Sequence, residues 1–143
     1  MPKKLSVDTD RVYVLGHSMG APELGMPFGR ARAICRYPKP RADCCREATF
    51  AKFKDVPIWA FHGGSDPVAP TDFSREIFAR LKEVKGNLKY TELRDVQHGA
   101  AQFAFNYQGD QPEKGFVTQY SSHRCDMTDN VWDWLFRQEL AHR

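Results

Sequence analysis

The clearest features of the chain are two short, continuous apolar runs, each entered from polar residues and closed by glycine. Arg11-Val12-Tyr13-Val14-Leu15 follows Asp8-Thr9-Asp10 and ends at Gly16; Val56-Pro57-Ile58-Trp59-Ala60-Phe61 ends at His62-Gly63-Gly64-Ser65-Asp66-Pro67. β-Branched and aromatic residues in such runs predict strands. Because the runs are continuous rather than alternating, the strands are expected to be covered on both faces, as in a parallel sheet. After Pro70, the residues Phe73, Ile77, Leu81 and Val84 recur at spacings of three and four, which predicts a helix capped by Thr71 or Asp72 and stopped at Gly86. Leu88-Lys89-Tyr90-Thr91-Glu92-Leu93 alternates like a strand near a sheet edge, with Asp95-Val96-Gln97-His98-Gly99 as the loop after it. A last helix, from about 128 to 140, carries Val131, Trp134, Leu135 and Phe136 on its repeat.

Strand, helix, strand and helix in succession predict the α/β class: a mostly parallel sheet with flanking helices and right-handed crossovers. Two stretches break that rhythm. Residues 21–46 hold five arginines, four prolines and three cysteines with few aliphatic residues, which predicts an irregular basic loop. Within it Ala31-Arg32-Ala33-Ile34-Cys35 is a weak strand pattern, and the bias toward Arg, Pro and Cys is what a shifted reading frame in a GC-rich gene also yields. Residues 100–127 are polar and aromatic and too long for an ordinary connection, so they are expected to form a lid or a surface insertion.

Composition narrows the picture only at its edges. A length of 143 residues predicts one domain, residues 1–143, and 21 Lys plus Arg against 18 Asp plus Glu leave a net +3, too small to argue for nucleic acid or an anionic membrane. No run approaches the ~20 apolar residues needed to span a bilayer. Met1-Pro2-Lys3-Lys4 leads into polar sequence with no apolar signal core, so the expected location is cytoplasmic, with secretion requiring a preceding segment. Cys35, Cys44, Cys45 and Cys125 form no C-x-x-C pair; neither a zinc site nor a disulfide framework is expected, and no metal is called for.

The chemistry is concentrated in Gly16-His17-Ser18-Met19-Gly20, a G-x-S-x-G sequence directly after the first strand. A chance match arises in roughly one chain in twenty of this length when Gly and Ser are each near ~7% of residues, so the weight of the motif lies in its strand-to-helix position. There the turn is so tight that side chains at Gly16 or Gly20 would clash, and the strain exposes the Ser18 hydroxyl. A serine needs a base to take its proton, and the base needs an acid to fix its tautomer. Asp66 lies just past the second core strand and His98 just past the third, so a parallel sheet brings all three to its carboxyl edge, where open α/β sheets place their sites. Asp66 before Pro67 also fits a plain turn residue, and His98 beside Gly99 a plain loop histidine. Asp95 and Asp72 are the reserve candidates for the acid. His62 is expected as a strand-end residue beside the site, His17 as a residue lining the pocket, and Trp59, Phe103, Phe105 and Tyr107 either as apolar walls or as core.

These segments resemble the α/β-hydrolase branch that contains bacterial carboxylesterases, polyhydroxybutyrate-depolymerase-like esterases and dienelactone-hydrolase or prolyl-oligopeptidase-like enzymes. The resemblance implies a reduced α/β-hydrolase fold with Ser18 as nucleophile, Asp66 as triad acid, His98 as base and the Met19 N–H as one oxyanion donor; from their places in the sequence, His17 and Trp59 are expected toward the substrate. It implies a serine carboxylesterase for small short-acyl esters that needs no cofactor. The sequence departs from the family in three ways: it begins just before the elbow strand, it follows the elbow with Ala21-Pro22, and its 21–46 stretch has no counterpart there. The alternatives are a prolyl-oligopeptidase-like peptidase and a non-catalytic truncated module that self-associates through an exposed sheet edge.

Overall fold

The structure, a computed structural model, describes residues 8, 11–17, 31–35, 50–51 and 54–138, with the backbone alone for 31–35. Five strands form one sheet in the order β1 (Val12–Gly16), β2 (Ala31–Cys35), β3 (Ile58–Gly63), β4 (Leu88–Leu93) and β5 (Phe116–Tyr120). The first four are parallel and β5 runs antiparallel to β4, with Leu93 opposite Phe116 and Lys89 opposite Tyr120. Helix α1 (Thr71–Glu83) makes the crossover from β3 to β4, α2 (Ala100–Ala104) follows β4, and α3 (Val131–Arg137) follows β5.

Side chains alternate across a strand, and here the alternation fills two cores. Trp59 and Phe61 on β3 and Leu93 on β4 pack with Ala100 and Ala104 of α2 and with Val131, Trp134 and Leu135 of α3. On the opposite face Leu88 and Tyr90, with Ile58 and Ala60 beside them, pack against Phe78 and Leu81 of α1 and against Phe50. The continuous apolar run of β3 is therefore a strand covered on both sides, as its sequence predicts. The first core is aromatic: Trp59 stacks on Phe61 at 5.0 Å and meets Trp134 edge-on at 5.5 Å.

Several expectations change. The strand Leu88–Leu93 is internal rather than near an edge, because β5 pairs along its outer side. Strand β5, α2 and a 3-10 turn at Pro112–Lys114 come from residues 100–127, so the stretch expected as a lid or insertion is folded into the sheet and its core. Ala31–Cys35, inside the predicted basic loop, is a strand between β1 and β3; the rest of 21–46 lies outside the described residues. Strand β1, predicted buried, leaves Val12 37% and Leu15 45% exposed at one end of the sheet. Neither Thr71 nor Asp72 caps α1. Pro70 stands at its N-cap, and the Thr71 hydroxyl instead donates to the Gly63 carbonyl at 2.9 Å, tying the helix to the end of β3. Helix α3 is shorter than predicted, begins after an Asn130 cap that accepts from the Trp132 and Asp133 N–H groups, and turns Phe136 outward. No helix among the described residues is long and apolar enough to cross a membrane.

Lys89 is the unusual core residue. It is buried on the aromatic face, its ammonium 3.5 Å above the Trp59 ring and donating to the Thr128 carbonyl at 2.5 Å, so it fastens the segment leading into α3 onto the sheet. Burial lowers it from the usual 10.5 to about 8, against the pull of Asp126, Asp129 and Asp110. Between those values the unfolded chain holds the proton more tightly than the folded one, so native stability rises with pH there. In Lys89→Met that contribution is absent. The stability difference, native minus variant, is expected to increase between pH 8 and 10 in urea titrations, and a pH-independent difference contradicts the assignment.

Candidate active site

Strands β1, β3 and β4 are parallel, so their C-terminal ends share one edge of the sheet. The turn after β3 and the turn after β4 are in direct contact there. The Gly64 N–H donates to the Leu93 carbonyl at 2.8 Å and the Ser65 N–H to the Val96 carbonyl at 3.1 Å. Glycine is needed for this approach: a Cβ on Gly63 would lie 2.2 Å from the Val96 oxygen, and one on Gly64 would lie 2.6 Å from the Arg94 oxygen. The Gly63-Gly64 pair thus lets two turns pack backbone to backbone, and each turn carries one reactive side chain, Asp66 and His98.

Asp66 is brought against His98. Nδ1 of His98 lies 3.1 Å from both carboxylate oxygens. The Asp66 side chain is fully buried while that of His98 is 32% exposed. A buried carboxylate must have its charge met by donors, and Oδ1 accepts the backbone N–H of Val68 at 2.9 Å and of Ala69 at 3.0 Å. Asp66 is therefore both readings at once: Oδ1 closes a local turn after Pro67, and the carboxylate as a whole holds the imidazole. Since Asp66 can only accept, Nδ1 of His98 carries the hydrogen, which leaves the lone pair of the neutral ring on Nε2.

His17, the first residue past β1, reaches the same place. His17 is exposed, its Nε2 donates to the His98 carbonyl at 3.4 Å, and the two rings lie 5.8 Å apart. With β1 three strands from β4, about 14 Å at ordinary strand spacing, this contact means that His17 and the turn bearing His98 approach each other across the sheet edge. The edge therefore gathers His17, Asp66 and His98. Ser18 and Met19 lie outside the described residues.

Other candidates go elsewhere. Trp59 is a fully buried core residue at the start of β3, where its indole donates to Thr91 at 2.9 Å; it is at the opposite end of the strand from Asp66 and lines no part of this edge. Tyr107 is also core. Asp72 is engaged by Arg75 at 3.0 Å, and Asp95 is exposed in the turn ahead of His98. Cys125 is a free, buried thiol, and among the described residues no group of three His, Cys, Asp or Glu side chains is placed to hold a metal.

Sequence reasoning left His62 as a bystander, yet it is buried at the heart of the site. Its Nε2 donates to the Ala69 carbonyl at 2.9 Å and stands 3.4 Å from Asp66 Oδ2, while Nδ1 meets the Ser74 hydroxyl of α1 at 2.6 Å. The signal was its position one residue before the Gly63-Gly64 turn. Helix α1 is in turn held to β4 by Arg75, which grips Glu92 through two contacts of 2.6 and 3.0 Å. That grip, aided by Tyr90, holds the Glu92 carboxyl below its usual range despite partial burial.

No protein-family model matches the chain, and neither does any curated protein. Among solved structures, that of a thermostable esterase is similar, with a TM-score of 0.61 at 25% identity over 94% of this chain and 32% of that one. The likeness supports an esterase-like hydrolase fold, and the chain spans about a third of that esterase's length. The turn contact gives a direct test of the scaffold. Gly63→Ala is expected to destabilise the protein by about 1–3 kcal/mol, since the methyl meets backbone that cannot step aside, measured by the denaturation midpoint; an unchanged midpoint contradicts the packing described.

Proposed function

We propose that the chain is a serine carboxylesterase acting on small short-acyl esters, with Ser18 as nucleophile, His98 as base and Asp66 as the acid that orients it. One observation carries this reading: a buried carboxylate holds Nδ1 of a part-exposed histidine at the same sheet edge to which β1 delivers Gly16 and His17, and Ser18 is the next residue in the chain. The G-x-S-x-G sequence and the likeness to an esterase structure support it independently.

In the proposed reaction Ser18 Oγ attacks the ester carbonyl carbon as Nε2 of His98 takes its proton. Asp66 steadies the imidazolium through Nδ1–H, and the Met19 N–H donates to the oxyanion. Collapse of the tetrahedral intermediate breaks the C–O bond, His98 returns the proton to the leaving alcohol, and an acyl group remains on Ser18. Water then adds to that acyl group while giving a proton to His98, and the second collapse releases the carboxylic acid and restores the serine. No step calls for a metal or organic cofactor. His17, exposed beside His98, is the proposed substrate-facing side chain.

Hydrolysis of p-nitrophenyl acetate and butyrate tests the reading. The native chain should hydrolyse both, Ser18→Ala and His98→Ala should lose the activity, and Asp66→Asn should lower kcat by about 10³–10⁴-fold. Activity retained in Ser18→Ala sinks the elbow assignment. Cleavage of peptide amides in place of esters would shift the reading to a prolyl-oligopeptidase-like peptidase. A second reading, a non-catalytic module that pairs β1 with a second copy, is favoured by the exposure of Val12 and Leu15 on that strand. It predicts a dimer by light scattering and no hydrolysis by the native chain.

A further inference from the structure

His62 has no solvent exposure and sits between three elements: the end of β3, the turn after it and helix α1. A buried imidazole used only for packing would satisfy its nitrogens with whatever lay nearest. Here one nitrogen faces the acid and the other fixes the ring. Nε2 faces two groups that can only accept, the Ala69 carbonyl at 2.9 Å and Asp66 Oδ2 at 3.4 Å, so in the neutral ring Nε2 carries the hydrogen and Nδ1 takes the Ser74 hydroxyl proton at 2.6 Å. The residue whose carbonyl His62 grips is the one whose N–H grips Asp66 Oδ1 at 3.0 Å.

We propose that His62 is a positioning residue for the acid: by anchoring Ala69 and setting an N–H beside Oδ2, it holds the Asp66 carboxylate square to Nδ1 of His98. The proposal rests on the triad reading above and names the support its acid requires. The anchoring runs through solid structure. Ser74 fixes the His62 ring, α1 carries Ser74, and the Arg75 to Glu92 pair holds α1 on β4, the strand that ends at the turn bearing His98. The same Asp66 carboxylate is therefore reached from the β3 side through His62 and from the β4 side through His98. A shift of a few tenths of an ångström in Ala69 would weaken one bond to Oδ1 and let the carboxylate rotate away from equal contact with Nδ1. Misplacement on this scale is costly to rate and nearly silent in substrate binding.

The test uses the full chain with His62→Leu, His62→Gln and Ser74→Ala, following kcat and KM on p-nitrophenyl acetate. It also follows the downfield proton resonance of His98 Nδ1–H without substrate, assigned by its absence in Asp66→Asn. In His62→Leu, kcat should fall by roughly 30- to 100-fold with KM changed less than about threefold, and the resonance should broaden or vanish. Glutamine can place an amide N–H near the position of Nε2, so His62→Gln should recover about tenfold or more of that loss and restore the resonance. Ser74→Ala, which keeps the imidazole and removes only the hydroxyl on its Nδ1, should lower kcat by roughly three- to tenfold. A folded His62→Leu with kcat and resonance like the native protein's overturns the proposal. So does an unaltered Ser74→Ala if the leucine variant does not fold. Should the native chain hydrolyse no ester, the triad reading falls, and the resonance comparison alone decides whether His62 holds the Asp66 to His98 pair.

Discussion

A carboxylate with no exposure to water imposes its requirements on everything around it, and Asp66 is the point from which the rest of this site follows. Its charge is met by two backbone N–H groups of its own turn, by Nδ1 of His98 from the neighbouring turn, and by the nearby Nε2 of His62. Those donors come from both ends of a backbone contact that exists only because residues 63 and 64 have no side chains. The burial of one charge and the absence of two Cβ atoms are thus a single constraint. The first needs donors from both turns, and the second allows the turns to meet.

The sheet makes that meeting reproducible. Strands β3 and β4 are paired along their whole length, from Ile58 opposite Leu88 to Gly63 opposite Leu93, so the two turns leave the sheet side by side. Each strand is packed on both faces, with aromatic residues against α2 and α3 and a smaller core against α1. The Thr71 hydroxyl on the Gly63 carbonyl and the Ser74 hydroxyl on His62 bring α1 directly into the support of the acid. On the other face, Lys89 over Trp59 joins β4 to β3, and the chain of hydroxyls linking Thr91, Thr118 and Tyr107 ties β5 and the segment after α2 to β4.

Much of this is visible in the residues. The continuous apolar character of β3 announces a strand covered on both sides, the spacing of Phe73, Ile77, Leu81 and Val84 announces α1, and the order of Asp66 and His98 after two successive strands announces their pairing. What escaped notice has physical reasons. Strand β5 alternates between half-buried and exposed positions and has no apolar run to display, so its residues read as part of an insertion; without it β4 reads as an edge. Strand β2 offers a single β-branched residue, Ile34, beside two alanines and an arginine, too weak a propensity to stand out until it pairs with two neighbours. Trp59 looks like a pocket wall only until the register of β3 sends it to the far end of the strand and into the core. Thr71 has the chemistry of a cap, but its hydroxyl donates to the Gly63 carbonyl and Pro70 takes the N-cap position. The role of His62 depends on where the chain returns at Ala69, which no local spacing encodes.

The central claim is that the Asp66 to His98 pair serves a nucleophile at Ser18, and the most direct test is to find where a mechanism-based reagent attaches. After treatment with a fluorophosphonate, peptide mapping by mass spectrometry should find one adduct, on Ser18, formed rapidly in the native chain and at a greatly reduced rate in His98→Ala. An adduct on a different residue, or labelling of Ser18 at the native rate without His98, would contradict the account.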